Sequence, residues 1–218
     1  EWQIPGIGGF LVAALMTIPI ASLFGFLIGI PVLRLRGDYL AIVTLAFGEI
    51  IKNILNSCYL GVDGNGMHFS LKDAASLKLA ADGKVIINGA IGITGLHKAS
   101  TFTAGILLIL VTLFVILNLI NSRAGRAIMS IRDNRIAAEA TGINVTKYKL
   151  MAFITSAVFA GMGGVLYALN FSTLAAKKFD YNTSILVLVF VVLGGLGNMW
   201  GSVTVSYTHL TLPTTSRV

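Results

Sequence analysis

Five stretches of the chain are almost continuously apolar, and polar or glycine-rich segments separate them. A helix needs about 20 mostly apolar residues to cross the roughly 30 Å hydrocarbon layer of a membrane. The second and fifth stretches are short and are interrupted by polar residues or glycine. The pattern predicts an all-α polytopic membrane protein with about five transmembrane helices, over residues 6–33, 39–55, 102–120, 150–171 and 184–199.

The segment of residues 56–101 is too long to be a simple turn between two membrane helices. Its first part, "GVDGNGMHF", is rich in glycine and favours a tight, irregular connection. In the second part, "SLKDAASLKLAADGK", apolar residues recur at helical spacing, and Gly83 can end the helix. We therefore predict a small helical element in this loop.

The loop between the third and fourth membrane helices contains a short charged segment, "RDNRIAAEATGIN". Asp133 or Asn134 can cap the start of a helix there, and Gly142 can end it in the left-handed conformation. This helix has roughly two turns, so it needs a partner surface to be stable in water. Asn144 or Thr146 can then cap the next membrane helix.

Composition supports a membrane protein. Of the 218 residues, 56% are hydrophobic and 11% are charged, whereas roughly 25% are charged in a typical globular domain. The net charge of +7 does not indicate nucleic-acid binding, because no basic run is interleaved with aromatic residues. The single cysteine excludes an intrachain disulfide, and the three histidines are scattered, so no metal site is expected.

The arginines indicate how the chain is oriented. Alternating topology places the connection between the first two helices on the same side as the loop of residues 121–149. Lysine and arginine accumulate in short cytoplasmic loops beside anionic lipid, so this side is predicted to be cytoplasmic and the loop of residues 56–101 external. The internal arginines all lie on the cytoplasmic side: Arg34, Arg36, Arg123, Arg126, Arg132 and Arg135.

The second helix carries a polar stripe that includes Thr44, Gly48 and Glu49, with Lys52 one turn further on. Glu49 lies about 18 Å along the helix from Gly37, which is roughly mid-membrane. An ionisable group is costly at that depth and usually faces the bundle interior or a watery cavity. Two interpretations are open: an internal Glu49–Lys52 ion pair, or the polar lining of a translocation route.

The fifth stretch ends in "VLGGLGNMWGS", where Gly194, Gly195 and Gly197 predict an interrupted helix. Broken helices at membrane depth are tolerated where protein or a water-filled cavity covers the freed backbone groups, and they often mark transport sites. Close helix packing explains these glycines equally well. Packing also explains the pairs of small residues four apart, Gly25/Gly29, Ala157/Gly161, Ala160/Gly164 and Gly197/Gly201.

Enzyme signatures are absent from the sequence. It has no GxSxG nucleophile elbow, no metal-ligand cluster and no GxxxxGK(S/T) phosphate loop. The chain is therefore not expected to be an enzyme or to hydrolyse ATP by the usual device. We expect no cofactor within it.

Three blocks, "LRLRGDYLAIVTLAFGEI", "SRAGRAIMSIRDNRIAAEATGI" and "VVLGGLGNMWG", follow one another in the chain. Together they resemble the LivM-type permease of branched-chain amino acid importers, over residues 6–203. The resemblance implies a permease in a bacterial inner membrane, paired with a second, LivH-type permease subunit. It also implies two cytoplasmic ATPase subunits that bind ATP and Mg²⁺, and an external substrate-binding protein that delivers the amino acid.

The second block resembles the cytoplasmic coupling loop of importer permeases, whose signature is a Glu-Ala-Ala-type helix followed by glycine. Here it reads Glu139-Ala140-Thr141, a small departure. The resemblance implies that this helix transmits ATPase closure to the membrane helices, through Arg135, Ala138, Glu139, Ala140 and Gly142. As a hypothesis, we assign two further groups to substrate passage: Thr44, Gly48 and Glu49, and Gly194, Gly195 and Gly197.

Both ends suggest a fragment of a longer protein. The chain begins at Glu1 without an initiator methionine, and the family would continue into further helices beyond Val203. The last segment, "SYTHLTLPTTSRV", turns abruptly to threonine, serine and proline and resembles translated cloning sequence, with a short polar tail as the alternative. We therefore treat residues 1–205 as a partial transmembrane permease domain and residues 206–218 as a predicted non-native tail.

Two other transport functions stay open. A permease of a urea or short-chain amide importer has the same architecture and similar blocks. A secondary transporter or a channel would work without ATPase subunits.

Overall fold

The computed structural model describes residues 7–35, 38–63, 66–71, 84–95, 101–171 and 173–211. These residues are mostly helical and fall into two compact units. The first unit contains the described residues up to Phe47 and those of Ile93–Leu174. The second contains those of Gly48–Gly92 and those from Ala175 onward.

Eight α-helices occur in the described residues. In chain order they are α1 (Ile7–Val32), α2 (Asp38–Asn56), α3 (Phe102–Asn121), α4 (Arg123–Asp133), α5 (Arg135–Ala140), α6 (Val145–Asn170), α7 (Tyr181–Leu193) and α8 (Met199–Thr211). Short 3₁₀ turns occupy Gly89–Ile91 and Ala176–Lys178.

Three helices of the first unit are long and apolar enough to cross a membrane: Gly8–Val32, Phe102–Asn121 and Val145–Asn170. They confirm the first, third and fourth predicted spans. Most of their large apolar side chains are exposed, as expected for helices that lipid surrounds, since lipid tails are as apolar as the side chains themselves.

The other two predicted spans have different outcomes. Helix α2 is continuous over 19 residues, which corresponds to about 29 Å, and its role as a span stays a prediction. The fifth predicted span is not one helix, because α7 ends at Leu193 after 13 residues, or about 20 Å. The total of five spans therefore stays a prediction.

Helices α1 and α6 make the most extensive helix contact of the first unit, and small residues allow it. A Cβ atom added at Gly25 would lie 3.0 Å from Cβ of Ala157, and one at Gly161 would lie 2.9 Å from Cγ2 of Thr17. Two of the predicted small-residue pairs therefore do pack at this interface. The pair that includes Gly164 does not, because no described atom lies within 4 Å of a Cβ at Gly164.

The loop after α2 corrects the all-α prediction. Its described residues form strands β1 (Tyr59–Asp63), β2 (Gly66–Ser70), β3 (Lys84–Asn88) and β4 (Gly92–Thr94). In the second unit, β1 pairs antiparallel with both β2 and β3, so that Leu60 lies opposite Phe69 and Ile87. In the first unit, β4 pairs with β5 (Thr173–Leu174).

The strands have a physical cause in the sequence. "YLGVD" and "KVIIN" are rich in β-branched and aromatic residues, which favour strands. Gly66, with φ 137°, lies where β2 begins and adopts a conformation that residues with a Cβ avoid. The predicted helical element of this loop, at residues 72–83, lies outside the described residues.

Candidate coupling and translocation sites

Helix α5 begins at a side-chain cap. The Asn134 carboxamide oxygen accepts hydrogen bonds from the backbone N–H groups of Ile136 and Ala137, at 3.0 and 3.1 Å. These N–H groups have no acceptor within the helix, so the cap provides the hydrogen-bond partner that they would otherwise lack. Of the two predicted caps, Asn134 is the one used.

The end of α5 is a Schellman motif, in which two hydrogen bonds close the last turn. The backbone N–H of Gly142 donates to the Glu139 carbonyl at 3.0 Å, and that of Ile143 donates to the Ala138 carbonyl at 3.1 Å. Gly142 has φ 82°, a left-handed conformation in which a Cβ atom is unfavourable. The predicted glycine stop is therefore confirmed.

The inner face of α5 rests on its neighbours through one small side chain. Ala138 is only 3% exposed and forms a buried cluster with Ile131 of α4 and Val145 of α6, against which Ile143 and Tyr148 also pack. Ala138 was predicted as a coupling residue. The structure places it beneath the helix, where it contacts α4 and α6 and not a surface open to a partner.

The outer face of α5 carries the charged residues. Nε of Arg135 donates to Oε1 of Glu139 at 2.9 Å, and their side chains are 39% and 49% exposed. An exposed pair of this kind contributes only about 0.5 kcal/mol, so the caps and Ala138 account for more of the helix's stability. Ala140 and Gly142 are exposed as well.

The large apolar side chain of α5, Ile136, is 79% exposed. Sequence reasoning did not single it out as a contact residue. Its outward position could have been inferred from helical geometry, because side chains two positions apart in an α-helix point in directions about 200° apart. Once Ala138 faces inward, Ile136 must face outward.

Asn144 caps the start of helix α6: its side-chain oxygen accepts a hydrogen bond from the Lys147 N–H at 3.1 Å. This confirms one of the two predicted caps. Only three residues, 141–143, separate the last residue of α5 from this cap. The connection is constrained, because it is short and because the N–H groups of Gly142 and Ile143 are held by the hydrogen bonds that close α5.

The second unit contains an ion-pair cluster on α2. Nζ of Lys52 lies 2.7 Å from Oε2 of Glu49, which confirms the predicted pair, and 2.8 Å from Oδ1 of Asp180. Lys52 is 17% exposed, and the two carboxylates are 43% exposed. One cation with two anions gives the cluster a net charge of −1 when all three groups are ionised.

Sequence reasoning missed Asp180 because it lies 128 residues after Lys52. Its position just before α7 was the only signal, and that position is equally typical of a helix cap. The pKa of the Asp180 carboxyl lies below its ordinary value, chiefly because the Lys52 ammonium donates a hydrogen bond to it. The backbone N–H of Tyr181 lowers this pKa further. Asp180 is therefore a carboxylate at neutral pH.

Thr44 and Gly48, which also belong to the polar stripe, differ in their surroundings. The Thr44 hydroxyl donates to the Leu40 carbonyl at 3.0 Å, so it is tied to its own helix. A Cβ atom at Gly48 would have no described atom within 4 Å, so Gly48 leaves an open notch next to Glu49 in the chain.

The glycine-rich segment of the fifth stretch forms a turn between α7 and α8, as the predicted interruption requires. Gly195 and Gly197 have φ 92° and 93°. The N–H of Asn198 donates to the Gly195 carbonyl at 2.9 Å, and the Asn198 side chain accepts from the Gly201 N–H at 3.2 Å. These bonds start α8 directly after the turn.

The third glycine has a packing function. A Cβ at Gly194 would collide with the backbone of Ser202, and a Cβ at Gly201 would collide with the Gly194 carbonyl. Helix α8 continues through Ser206 to Thr211, and the ring of His209 lies 5.7 Å from that of Phe190 on α7. The hairpin therefore includes residues of the predicted tail, whose native or non-native origin stays a prediction.

Comparison with known proteins decides the family. The sequence pattern of the branched-chain amino acid transport system permease component matches residues 2–216. The chain belongs to this family. It is 36% identical over 198 residues to the high-affinity branched-chain amino acid transport system permease protein LivM of Salmonella typhimurium, and equally to that of Escherichia coli. Each match covers 84% of this chain and 46% of the relative.

Two further relatives have lower sequence identity. A probable branched-chain amino acid transport permease protein LivM of Methanocaldococcus jannaschii is 24% identical over 91% of this chain and 53% of its own length. The fructose import permease protein FruG of Bifidobacterium longum is 28% identical over 47% of this chain and 32% of its own. The chain spans about half the length of the LivM relatives. No solved structure matches it.

Proposed function

We propose that the chain is part of the membrane-spanning permease subunit of an ATP-binding-cassette importer for branched-chain amino acids in a bacterial inner membrane. Family membership and the LivM relatives support the substrate class. The observation that carries the proposal is helix α5, a short, doubly terminated helix that presents Ile136, Arg135 and Glu139 outward from a permease chain.

The proposed partners follow from the same assignment. A second, LivH-type permease subunit completes the pathway, two ATPase subunits bind ATP and Mg²⁺ on the cytoplasmic side, and an external binding protein delivers the amino acid. The outer face of α5 suits an ATPase groove, because Ile136 offers an exposed apolar side chain on the same short helix as the charged pair of Arg135 and Glu139. Exposed apolar anchors with a charged rim are typical of protein interfaces.

The packing of α5 provides a route for coupling. A force on its outer face reaches Ile131 of α4 and Val145 of α6 through Ala138. Helix α6 in turn contacts α1 through the close approach at Gly25 and Gly161. Because closely packed contacts transmit displacement with little compression, movement of α5 is expected to shift the α1–α6 pair.

The translocation hypothesis keeps both of its residue groups, Thr44, Gly48 and Glu49, and Gly194, Gly195 and Gly197. The carboxylates of Glu49 and Asp180 are partly exposed. Together they carry two negative charges, and Lys52 neutralises one of them. The ammonium group of an amino acid could pair with this excess negative charge during passage. Gly48 leaves open space on the same helix.

Transport by the full-length protein with its co-purified subunits tests the proposal. Proteoliposomes with ATP and the binding protein should accumulate labelled leucine, isoleucine or valine in preference to labelled urea or fructose. Equal or better uptake of urea would establish the amide-importer alternative. Uptake that needs neither ATP nor ATPase subunits would establish a secondary transporter or channel.

A further inference from the structure

A groove of about 500 Å³ lies between the end of α1, helix α4 and the first turns of α6. Its walls are largely apolar and include Leu33, Ile128, Ile131 and Phe153. All of these residues belong to the first unit. A groove of this size with apolar walls can take up part of an acyl chain.

Two cations line the groove, Arg132 and Lys149, and none of its described lining residues is acidic. Lys149 makes no ion pair with the described part of the chain. Arg132 contacts one oxygen of Asp133 through Nε at 3.0 Å and Nη2 at 2.9 Å. A guanidinium has five N–H donors, so most of the donors of Arg132 are left for another anion.

The groove lies near one end of the helices that are long and apolar enough to cross a membrane. Leu33 directly follows α1, and Lys149 lies in the first turns of α6, two helices long and apolar enough to cross a membrane. Arg132 is on α4, which begins two residues after α3, the third such helix, ends. Because Arg132 lines the same groove as Leu33 and Lys149, the groove lies at this end of the helices, where we expect lipid headgroups.

We propose that this groove binds an anionic phospholipid. The phosphate would contact Arg132 and Lys149, and an acyl chain would run along the apolar walls toward Phe153. Basic pockets between membrane helices on the cytoplasmic side typically bind anionic headgroups. Free phosphate would leave the apolar walls in water. An apolar helix would leave Lys149 without an anion and most donors of Arg132 unused, so a lipid matches the groove better than either.

The experiment uses full-length protein in vesicles that contain a phosphatidylglycerol or a phosphatidylcholine with a diazirine in the acyl chain. After illumination, peptide mass spectrometry maps the adducts. Phosphatidylglycerol should label the peptides around Ile128 and Phe153. Arg132→Gln with Lys149→Gln should lower this labelling more than tenfold, given about fivefold per basic residue near an anionic surface.

Controls separate this site from general surface charge. Lys147→Gln removes the same charge from an exposed position on the same helix and should lower labelling less than Lys149→Gln does. Lys149→Arg should retain the labelling. Ala152→Trp, which fills the groove without changing its charge, should lower labelling by both lipids. Equal labelling by the two lipids, an equal loss in Lys147→Gln, or loss on adding inorganic phosphate at matched ionic strength would overturn the proposal.

Discussion

Helix α5 and the α7–α8 hairpin both depend on an asparagine cap and on glycines with positive φ, yet they are stabilised in different ways. Helix α5 buries Ala138 against two neighbouring helices. In the hairpin the backbones themselves meet at Gly194 and Gly201, and no residue of α7 is buried. Helix α5 is therefore anchored to α4 and α6 through a side chain, whereas the hairpin is held by contact between the backbones of its own two helices.

This difference indicates separate functions. An anchored helix with an exposed outer face can receive a partner and pass on its movement. Helix α7 of the hairpin has 13 residues and is too short to cross the membrane alone. Such a hairpin is typical of the interrupted segments that line transport pathways. Four predictions test this contrast, in order of decreasing effect.

Gly142→Val should reduce ATP-driven uptake to background while leaving membrane insertion intact. Valine is strongly disfavoured at φ 82°, and a helix of six residues has no stability of its own to compensate for the lost Schellman bonds. Gly142→Asn is the matched control, because asparagine tolerates this conformation, and it should keep most of the uptake. Normal uptake by the valine variant would remove the coupling assignment.

Ile136→Asp should weaken ATPase association about thirtyfold, which corresponds to about 2 kcal/mol for an interface anchor. Ile136 is 79% exposed, so its replacement should cost the permease itself little stability. Co-purification from mild detergent at graded ATPase concentrations measures the effect, and Ile136→Val is the conservative control. Unchanged association would show that the partner does not contact this face of α5.

Gly194→Ala should destabilise the hairpin by about 1–3 kcal/mol, the usual cost of forcing an extra group into a filled space. Its methyl group would collide with the Ser202 backbone. Gly164→Ala is the control: it adds the same methyl group within α6, where no described atom lies within 4 Å, and should be neutral or stabilising. Thermal denaturation of the full-length protein in detergent compares them, and equal midpoints would contradict the packing.

Asp180→Asn should have the smallest effect, a reduction in uptake of a few-fold at neutral pH. The pKa of Asp180 is lowered in the folded protein, so its ion pair stabilises the fold above the unfolded-state pKa and is lost as pH falls through the folded value. The hairpin of the parent protein should therefore stay protease-resistant down to about pH 4. A loss of resistance in the parent between pH 5 and 7, absent in the variant, would contradict this assignment.

Sequence predicted those features that depend on neighbouring residues. The Asn134 cap, the Gly142 stop and the Glu49–Lys52 pair all lie within one or two helical turns, where spacing along the chain fixes spacing in the molecule. Three uninterrupted apolar stretches were enough to identify the membrane helices.

Features that depend on distant residues could not be predicted in the same way. Asp180 joins Lys52 across 128 residues, and only tertiary structure brings them together. The strands after α2 arise from pairing between β1 and β3, whose partners are also separated in the chain. Ala138 could not be distinguished from Ala137 and Ala140 until its contacts with α4 and α6 were known.

The central claim is that the outer face of α5 contacts an ATPase subunit. Photocrosslinking from a single cysteine on α5 tests this claim most directly. Cys58 is the one cysteine of these 218 residues, and it is buried. Full-length protein with every cysteine replaced by serine is the background for single cysteines at Ile136 and at Phe69, which is 62% exposed on β2. With a maleimide–benzophenone reagent, full-length protein carrying Ile136→Cys should crosslink to the ATPase subunit, and Phe69→Cys should not. Crosslinking from position 69 but not from 136 would contradict both the orientation and the coupling assignment.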